Sequence, residues 1–118
     1  MNIETVLVVE DEFLIRLCAM QTLEDAGYSV LEAANADEAI GILEQRRDID
    51  AVITDINMPG SMDGLEMART IRRRWPPIAL IVTSGRVILT PGEMPAGRFL
   101  RKPYAQQQLT EALHAIAA

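Results

Sequence analysis

Acidic side chains follow two apolar segments of the sequence. Glu10 and Asp11 come directly after the run Thr5–Val9, and Asp55 comes directly after the run Ala51–Thr54. Continuous apolar runs of this kind are typical of parallel strands buried on both faces, and the carboxyl ends of such strands form the ligand site of an open α/β sheet. Three carboxylates at that edge would repel one another, and oxygen ligands suit a hard cation such as Mg²⁺. The pattern therefore predicts metal-assisted chemistry at a carboxylate.

Strand-like segments alternate with helical patterns along the whole sequence. The predicted strands are Thr5–Val9, Ser29–Ala33, Ala51–Thr54, Ile78–Thr83 and Arg98–Arg101. The predicted helices are Phe13–Ala26, Asp37–Arg46, Leu65–Trp75 and Gln106–Ala117. This alternation predicts an α/β fold with a doubly wound, five-stranded parallel sheet and helices on both faces. The segment Gly85–Gly97 is rich in proline and glycine, so a helix between the fourth and fifth strands is predicted to be short or missing.

The first predicted helix carries two apolar stripes. The stripe predicted to be buried consists of Ile15, Cys18, Ala19, Thr22 and Leu23, so Cys18 is expected to pack rather than to react. The second stripe, Phe13, Leu17 and Met20, lies on the flank of the helix. It is either shielded by the last helix or left as scattered apolar surface, or it is a face for a downstream target or for homodimer formation.

Composition restricts the class of protein. The 118 residues are expected to form one domain, 1–118, and the net charge of −6 argues against nucleic acid as a partner. The single cysteine excludes an intramolecular disulfide, and the first residues lack the pattern of a signal peptide. No apolar stretch approaches the ~18 residues of a membrane span. A cytoplasmic protein that does not interact with membranes is therefore expected.

Four short motifs occur in order at the ends of successive predicted strands. They are Val8–Glu12, Thr54–Gly64, Thr83–Gly85 and Lys102–Tyr104. Together they closely resemble the receiver domain of bacterial two-component response regulators, including the chemotaxis regulators. Each motif alone is a weak signal, whereas the four in this order are a strong one. The resemblance covers essentially the whole chain and implies a flavodoxin-like sheet of strand order 2-1-3-4-5.

The resemblance implies roles for the acidic residues. Asp55 matches the residue that accepts a phosphoryl group, and a carboxylate nucleophile that forms an acyl phosphate is a recognised covalent strategy. Glu10 and Asp11 match the pair that binds Mg²⁺, with Asp11 as the direct ligand and Glu10 as a contact through water. The main-chain carbonyl of Asn57 matches a further Mg²⁺ ligand. Without a metal, Glu10 and Asp11 would simply stabilise the start of the first helix by their charge.

The resemblance also implies roles for residues near the last two strands. Lys102 matches a lysine that contacts the acceptor carboxylate and then the phosphoryl oxygens, and the peptide before Pro103 would be cis. Ser84 aligns best with a hydroxyl that binds the phosphoryl group, with Thr83 as the alternative one residue earlier. Phe99 falls where the family has a switch aromatic residue, although Phe99 is equally well explained as part of the core.

The function implied by the resemblance is phosphoryl transfer to Asp55 from a sensor histidine kinase, a phosphotransfer protein or a small phosphodonor. Phosphorylation would then bias a conformational equilibrium that a protein partner detects. Two alternatives are a pseudo-receiver that binds a partner constitutively and a phosphohydrolase of the haloacid dehalogenase type. The second alternative requires another aspartate two residues after the nucleophile, where this sequence has Asn57.

Overall fold

Helices and strands alternate along the chain as the sequence predicts. The computed structural model describes residues 2–56, 63–85 and 97–117. The strands are β1 Thr5–Val9, β2 Ser29–Ala33, β3 Ala51–Asp55, β4 Ala79–Ser84 and β5 Arg98–Arg101. The helices are α1 Phe13–Asp25, α2 Ala36–Gln45, α3 Gly64–Arg74 and α4 Gln106–Ala117. These bounds agree with the predicted ones to within one residue. The prediction of a short or missing helix between β4 and β5 concerns residues outside the described part of the chain.

The strands form one parallel sheet in the order β2-β1-β3-β4-β5. β1 pairs with both β2 and β3, and β3 in turn pairs with β4. Asp55 at the end of β3 lies opposite Thr83 of β4 in this register, and Thr83 lies opposite Leu100 of β5. The carboxyl ends of all strands therefore meet at one edge of the sheet, and the predicted flavodoxin-like order is confirmed.

Two core clusters cover the two faces of the sheet, because successive residues of a strand point to opposite faces. The first core cluster packs the sheet against α2 and α3, and its members include Leu7, Val52, Leu80, Val82, Leu43, Met67 and Ile71. The second core cluster packs the other face against α1 and α4, and its members include Val6, Val8, Ile53, Ile81, Leu23, Leu109 and Leu113. The prediction of helices on both faces is therefore confirmed.

The start of α3 lies directly beside the end of β3. The Asp63 carboxylate accepts a hydrogen bond of 2.8 Å from the amide of Glu66, which caps the helix. The amide of Gly64 donates to the carbonyl oxygen of Ile56 at 2.9 Å. A Cβ atom at Gly64 would overlap the carbonyl oxygen of Asp55 and lie 2.8 Å from Cα of Ile56. Only glycine therefore allows this close approach of the helix to the strand that carries Asp55.

The prediction that Cys18 packs in the core is wrong. The side chain of Cys18 is exposed, whereas Ala19 and Leu23 are the buried residues of α1. α1 contacts the sheet mainly over β1 and the edge strand β2, and it contacts α4 on one side. The fully buried positions of α1 are therefore Ala19 and Leu23, and Cys18 at the edge of the predicted stripe faces solvent.

We expect the substitution Gly64→Ala to lower the free energy of unfolding by at least about 2–3 kcal/mol, because the added methyl group collides with main-chain atoms rather than with a movable side chain. Gly41 in α2 is the matched control, since a Cβ atom there meets nothing within 4 Å. Gly41→Ala should raise stability by about 0.5–1 kcal/mol. Urea denaturation of both variants measures the difference, and equal stabilities would contradict the close approach at Gly64.

Candidate functional site

Three carboxylates converge at the carboxyl edge of the sheet. Glu10 and Asp11 lie in the loop after β1, and Asp55 is the last residue of β3. One carboxylate oxygen from each lies within 4.8 Å of the other two. Glu10 and Asp55 are buried, whereas Asp11 is exposed. The structure thus brings together the three acidic residues that the sequence analysis singled out.

The side chain of Lys102 extends into the same cluster from the loop after β5. Its ammonium nitrogen lies 2.7 Å from Oε1 of Glu10 and 3.2 Å from Oδ2 of Asp55. The amide of Lys102 donates to the carbonyl oxygen of Ser84 at 2.8 Å, which continues the pairing of β5 with β4 into the loop. The peptide between Lys102 and Pro103 is cis, as the resemblance implies.

Burial and charge act in opposite directions on the ionisable groups of the site. Burial raises the pKa of Glu10, and this effect exceeds the opposing influence of the hydrogen bond from Lys102. Burial also works against the charged form of Lys102, but its hydrogen bond to Glu10 and the negative charges of Glu10 and Asp55 raise its pKa overall. Lys102 therefore stays protonated and acts as the internal cation of the acidic cluster.

Thr83 and Ser84 point to opposite faces of the sheet. Thr83 lies opposite Asp55 in the register of β3 and β4, so their side chains leave the sheet on the same face. Ser84 is the next residue, so its side chain points to the opposite face, the same face as Val82 of the first core cluster. Both residues are buried. The residue on the Asp55 face is therefore Thr83, the alternative in the sequence analysis, and not Ser84.

Phe99 and Asn57 are the two remaining residues predicted for the site. Phe99 is partly buried and packs against the first core cluster, where it lies opposite Val82 in the register of β4 and β5. This placement agrees with the interpretation of Phe99 as a core residue. Asn57 lies outside the residues that the structure describes, so its carbonyl oxygen stays a prediction.

The sequence analysis missed Arg16, which contacts the loop that carries the acidic pair. Its Nη1 donates to the carbonyl oxygen of Glu10 at 2.7 Å, and its Nε donates to Glu32 at 3.0 Å. The only sequence signal for this contact is a basic residue one helical turn after the last of three consecutive acidic residues, 10–12. That signal is weak, because it does not indicate whether the side chain returns to the loop or extends into solvent.

Exposed apolar side chains flank the site at the start of α1. Phe13, Leu14 and Leu17 are 61%, 71% and 37% exposed, respectively. Met20, which the sequence analysis placed in the same stripe, packs against the second core cluster instead. An open groove beside these residues is lined by Ile15, Cys18, Lys102, Pro103 and Tyr104, among others. The apolar surface of α1 thus borders the loop that carries Lys102.

Comparison with known proteins identifies the family. Residues 6–114 match the response regulator receiver domain. The chain belongs to this family. It is 33% identical over 114 residues to a CheY homolog, a chemotaxis protein of Campylobacter jejuni, and the match covers 91% of this chain and 87% of that protein. Members of this family are signalling domains rather than ordinary enzymes. The match therefore supports the receiver domain and not the phosphohydrolase of the haloacid dehalogenase type.

Similar receiver domains also occur within longer proteins and in solved structures. The sensor kinase CckA of Brucella abortus is 38% identical over 111 residues, which cover 89% of this chain but 12% of that protein. The crystal structure of a response regulator receiver protein from Sinorhizobium medicae superposes with a TM-score of 0.88 at 31% identity and covers 98% of this chain and 94% of that one. Among the described residues, no helix is both long and apolar enough to cross a membrane.

We expect Lys102→Met to lower the free energy of unfolding by about 2–4 kcal/mol in the absence of divalent cations, because it leaves three clustered carboxylates without their ammonium partner. The raised pKa of Lys102 means that its contribution is fully present below the unfolded lysine pKa of about 10.4 and is lost only as the pH rises through the folded-state value.

The stability difference between wild type and Lys102→Met should therefore persist at neutral pH and decrease above about pH 10.4. Urea denaturation at several pH values measures it. The exposed neighbour Arg101 provides the control substitution Arg101→Met, which should have little effect. Equal stability of the two variants would show that Lys102 does not balance the acidic cluster.

Proposed function

We propose that this receiver domain accepts a phosphoryl group on Asp55 and thereby signals to a protein partner. The donor is the phosphohistidine of a sensor kinase or of a phosphotransfer protein, or a small phosphodonor. The convergence of Glu10, Asp11 and Asp55 around the Lys102 ammonium is the observation that carries this proposal. It provides a nucleophile, oxygen ligands for a divalent cation and a fixed positive charge in one place.

The proposed step is an in-line displacement at phosphorus. A carboxylate oxygen of Asp55 forms a bond to phosphorus while the bond from phosphorus to the imidazole nitrogen breaks. The electron pair of that bond stays on the imidazole nitrogen, which takes up a proton from solvent. Lys102, 3.2 Å from Oδ2 of Asp55, offers its positive charge to the oxygens of the transferred group. The protein thus contributes position and electrostatic stabilisation.

The acidic cluster has the donor atoms that suit Mg²⁺. All three side chains offer carboxylate oxygens, and Mg²⁺ is usually held by one or two carboxylates while it keeps several waters. We assign Asp11 and Asp55 as direct ligands and Glu10 as a contact through water, with the carbonyl oxygen of Asn57 as a further ligand. When bound, the cation supplies positive charge that offsets the charge of the carboxylates and of the phosphoryl oxygens.

We assign the hydroxyl that binds the phosphoryl group to Thr83 rather than to Ser84. The register of β3 and β4 supports this choice, because it places Thr83 beside Asp55 on the face from which the Asp55 side chain extends. The amide of Ile56 donates to the carbonyl oxygen of Thr83 at 2.9 Å, which holds this part of β4 close to the acceptor. Ser84 leaves the sheet on the opposite face.

The partners of the domain are proteins under this proposal. The exposed Phe13, Leu14 and Leu17 lie at the start of α1, which begins two residues after Asp11, so a donor or a target that reaches Asp55 would meet an apolar surface there. We place the domain in the cytoplasm, because its one cysteine, Cys18, is a free exposed thiol that a reducing compartment keeps intact.

We expect Asp55→Asn to abolish phosphoryl transfer from acetyl phosphate in the presence of Mg²⁺, because an amide oxygen is a far weaker nucleophile than a carboxylate. Intact-protein mass spectrometry measures the incorporated phosphoryl group. Asp48→Asn is the control, since Asp48 is an exposed carboxylate paired with Arg46. Incorporation should be unchanged in this control, and EDTA should prevent it in wild type.

The same measurement separates the proposed function from the alternatives. A wild-type domain that accepts no phosphoryl group from acetyl phosphate or from a phosphohistidine donor would favour a pseudo-receiver that binds its partner constitutively. Incorporation that persists in Asp55→Asn would place the acceptor at another residue and would contradict the assignment of Asp55.

We expect Thr83→Ala to slow phosphoryl transfer by about tenfold, because the hydrogen bond from this hydroxyl to the charged transferred group is lost. Ser84→Ala is the matched control and should change the rate by less than about twofold, because it removes a hydroxyl from the opposite face of the same strand. The rate of incorporation from acetyl phosphate measures both. A larger effect at Ser84 would reverse the assignment.

A further inference from the structure

The side chain of Arg16 connects the loop after β1 to the edge strand β2. Arg16 lies in the first turn of α1, and its guanidinium donates to the carbonyl oxygen of Glu10 and to Oε1 of Glu32. Glu32 belongs to β2 and lies opposite Val8 of β1 in the sheet register. The side chain of Arg16 is only 13% exposed, although it is charged and carried by a surface helix. This is an ordered contact and not a solvated surface arginine.

The contact restricts the main chain at the acidic pair. The amide of Glu10 donates to the carbonyl oxygen of Ala33 at 3.1 Å, and the carbonyl oxygen of Glu10 accepts from Arg16 at 2.7 Å. That carbonyl and the amide of Asp11 belong to one planar peptide group. Two hydrogen bonds in different directions thus hold the main chain of Glu10. The one from Arg16 also orients the amide group of Asp11, which belongs to the same peptide plane.

We propose that Arg16 is a positioning residue for the cation site. By holding the peptide between Glu10 and Asp11, it keeps the two carboxylates in the orientation that a divalent ion requires. Glu32 in turn fixes the guanidinium, whose planar fork presents its donors in a rigid arrangement. This inference rests on the proposed function, because it takes the acidic cluster to be a Mg²⁺ site.

A positioning role and a purely electrostatic role of Arg16 predict opposite changes in Mg²⁺ affinity when its side chain is removed. If Arg16 acted only through its positive charge, its removal would make the acidic cluster more negative and would tighten Mg²⁺ binding. If Arg16 acts by orienting the Glu10–Asp11 peptide, its removal allows the loop to adopt other conformations and weakens Mg²⁺ binding. The sign of the change in affinity therefore distinguishes the two roles.

The test is Mg²⁺ binding by isothermal titration calorimetry to wild type, Arg16→Met and Arg16→Lys, with thermal unfolding in EDTA to establish that each variant is folded. Arg16→Met should bind Mg²⁺ about tenfold more weakly, since residues that orient metal ligands contribute at this scale. Arg16→Lys should be intermediate, because an ammonium group keeps the charge and one hydrogen bond but cannot span Glu10 and Glu32.

Arg46→Met is the matched control, because Arg46 also pairs with an acidic residue, Asp48, but belongs to the segment after α2. Its Mg²⁺ affinity should equal that of wild type. Arg16 variants that bind Mg²⁺ as tightly as wild type, or more tightly, would overturn the inference while the proposed function stands. Arg16→Lys alone decides the matter if Arg16→Met does not fold. A wild-type domain that binds no Mg²⁺ would overturn both.

Discussion

The repulsion among three carboxylates at one edge of the sheet is the constraint on which this structure depends. Glu10, Asp11 and Asp55 present oxygens within 4.8 Å of one another, and the Lys102 ammonium is in contact with two of the three. Like charges at this separation destabilise the folded state unless a cation lies among them. The apolar packing on both faces of the sheet offsets the cost and holds the carboxylates in place.

The main chain extends the order of the sheet into the loops that carry the site. The amides of Glu10, Ile56 and Lys102 each donate to a carbonyl oxygen at the end of a neighbouring strand, namely Ala33, Thr83 and Ser84. Loop residues are usually more mobile than the strands they follow. These hydrogen bonds, together with the contact from Arg16 to Glu10, make the site an extension of the sheet rather than a set of free loops.

The predicted site residues of the strands are divided between the two faces of the sheet. Asp55 and Thr83 leave the sheet on the face that packs against α1 and α4, and Lys102 contacts Asp55 from the loop after β5, whereas Phe99 packs on the face of α2 and α3. Asp55 and Phe99 therefore lie on opposite faces of the sheet, and β4 lies between the strands that carry them. α1, whose first turns carry the exposed apolar residues Phe13, Leu14 and Leu17, packs on the same face as Asp55.

The sequence by itself determined the elements and the acidic residues of the site. Apolar runs, helix periodicity and the acids after β1 and β3 are local signals, and they predicted the bounds to within one residue. The tertiary structure decided that Thr83 rather than Ser84 lies on the Asp55 face, that Cys18 is exposed and that Arg16 holds Glu10. These features depend on strand register and on distances between elements, and local sequence patterns do not encode such distances.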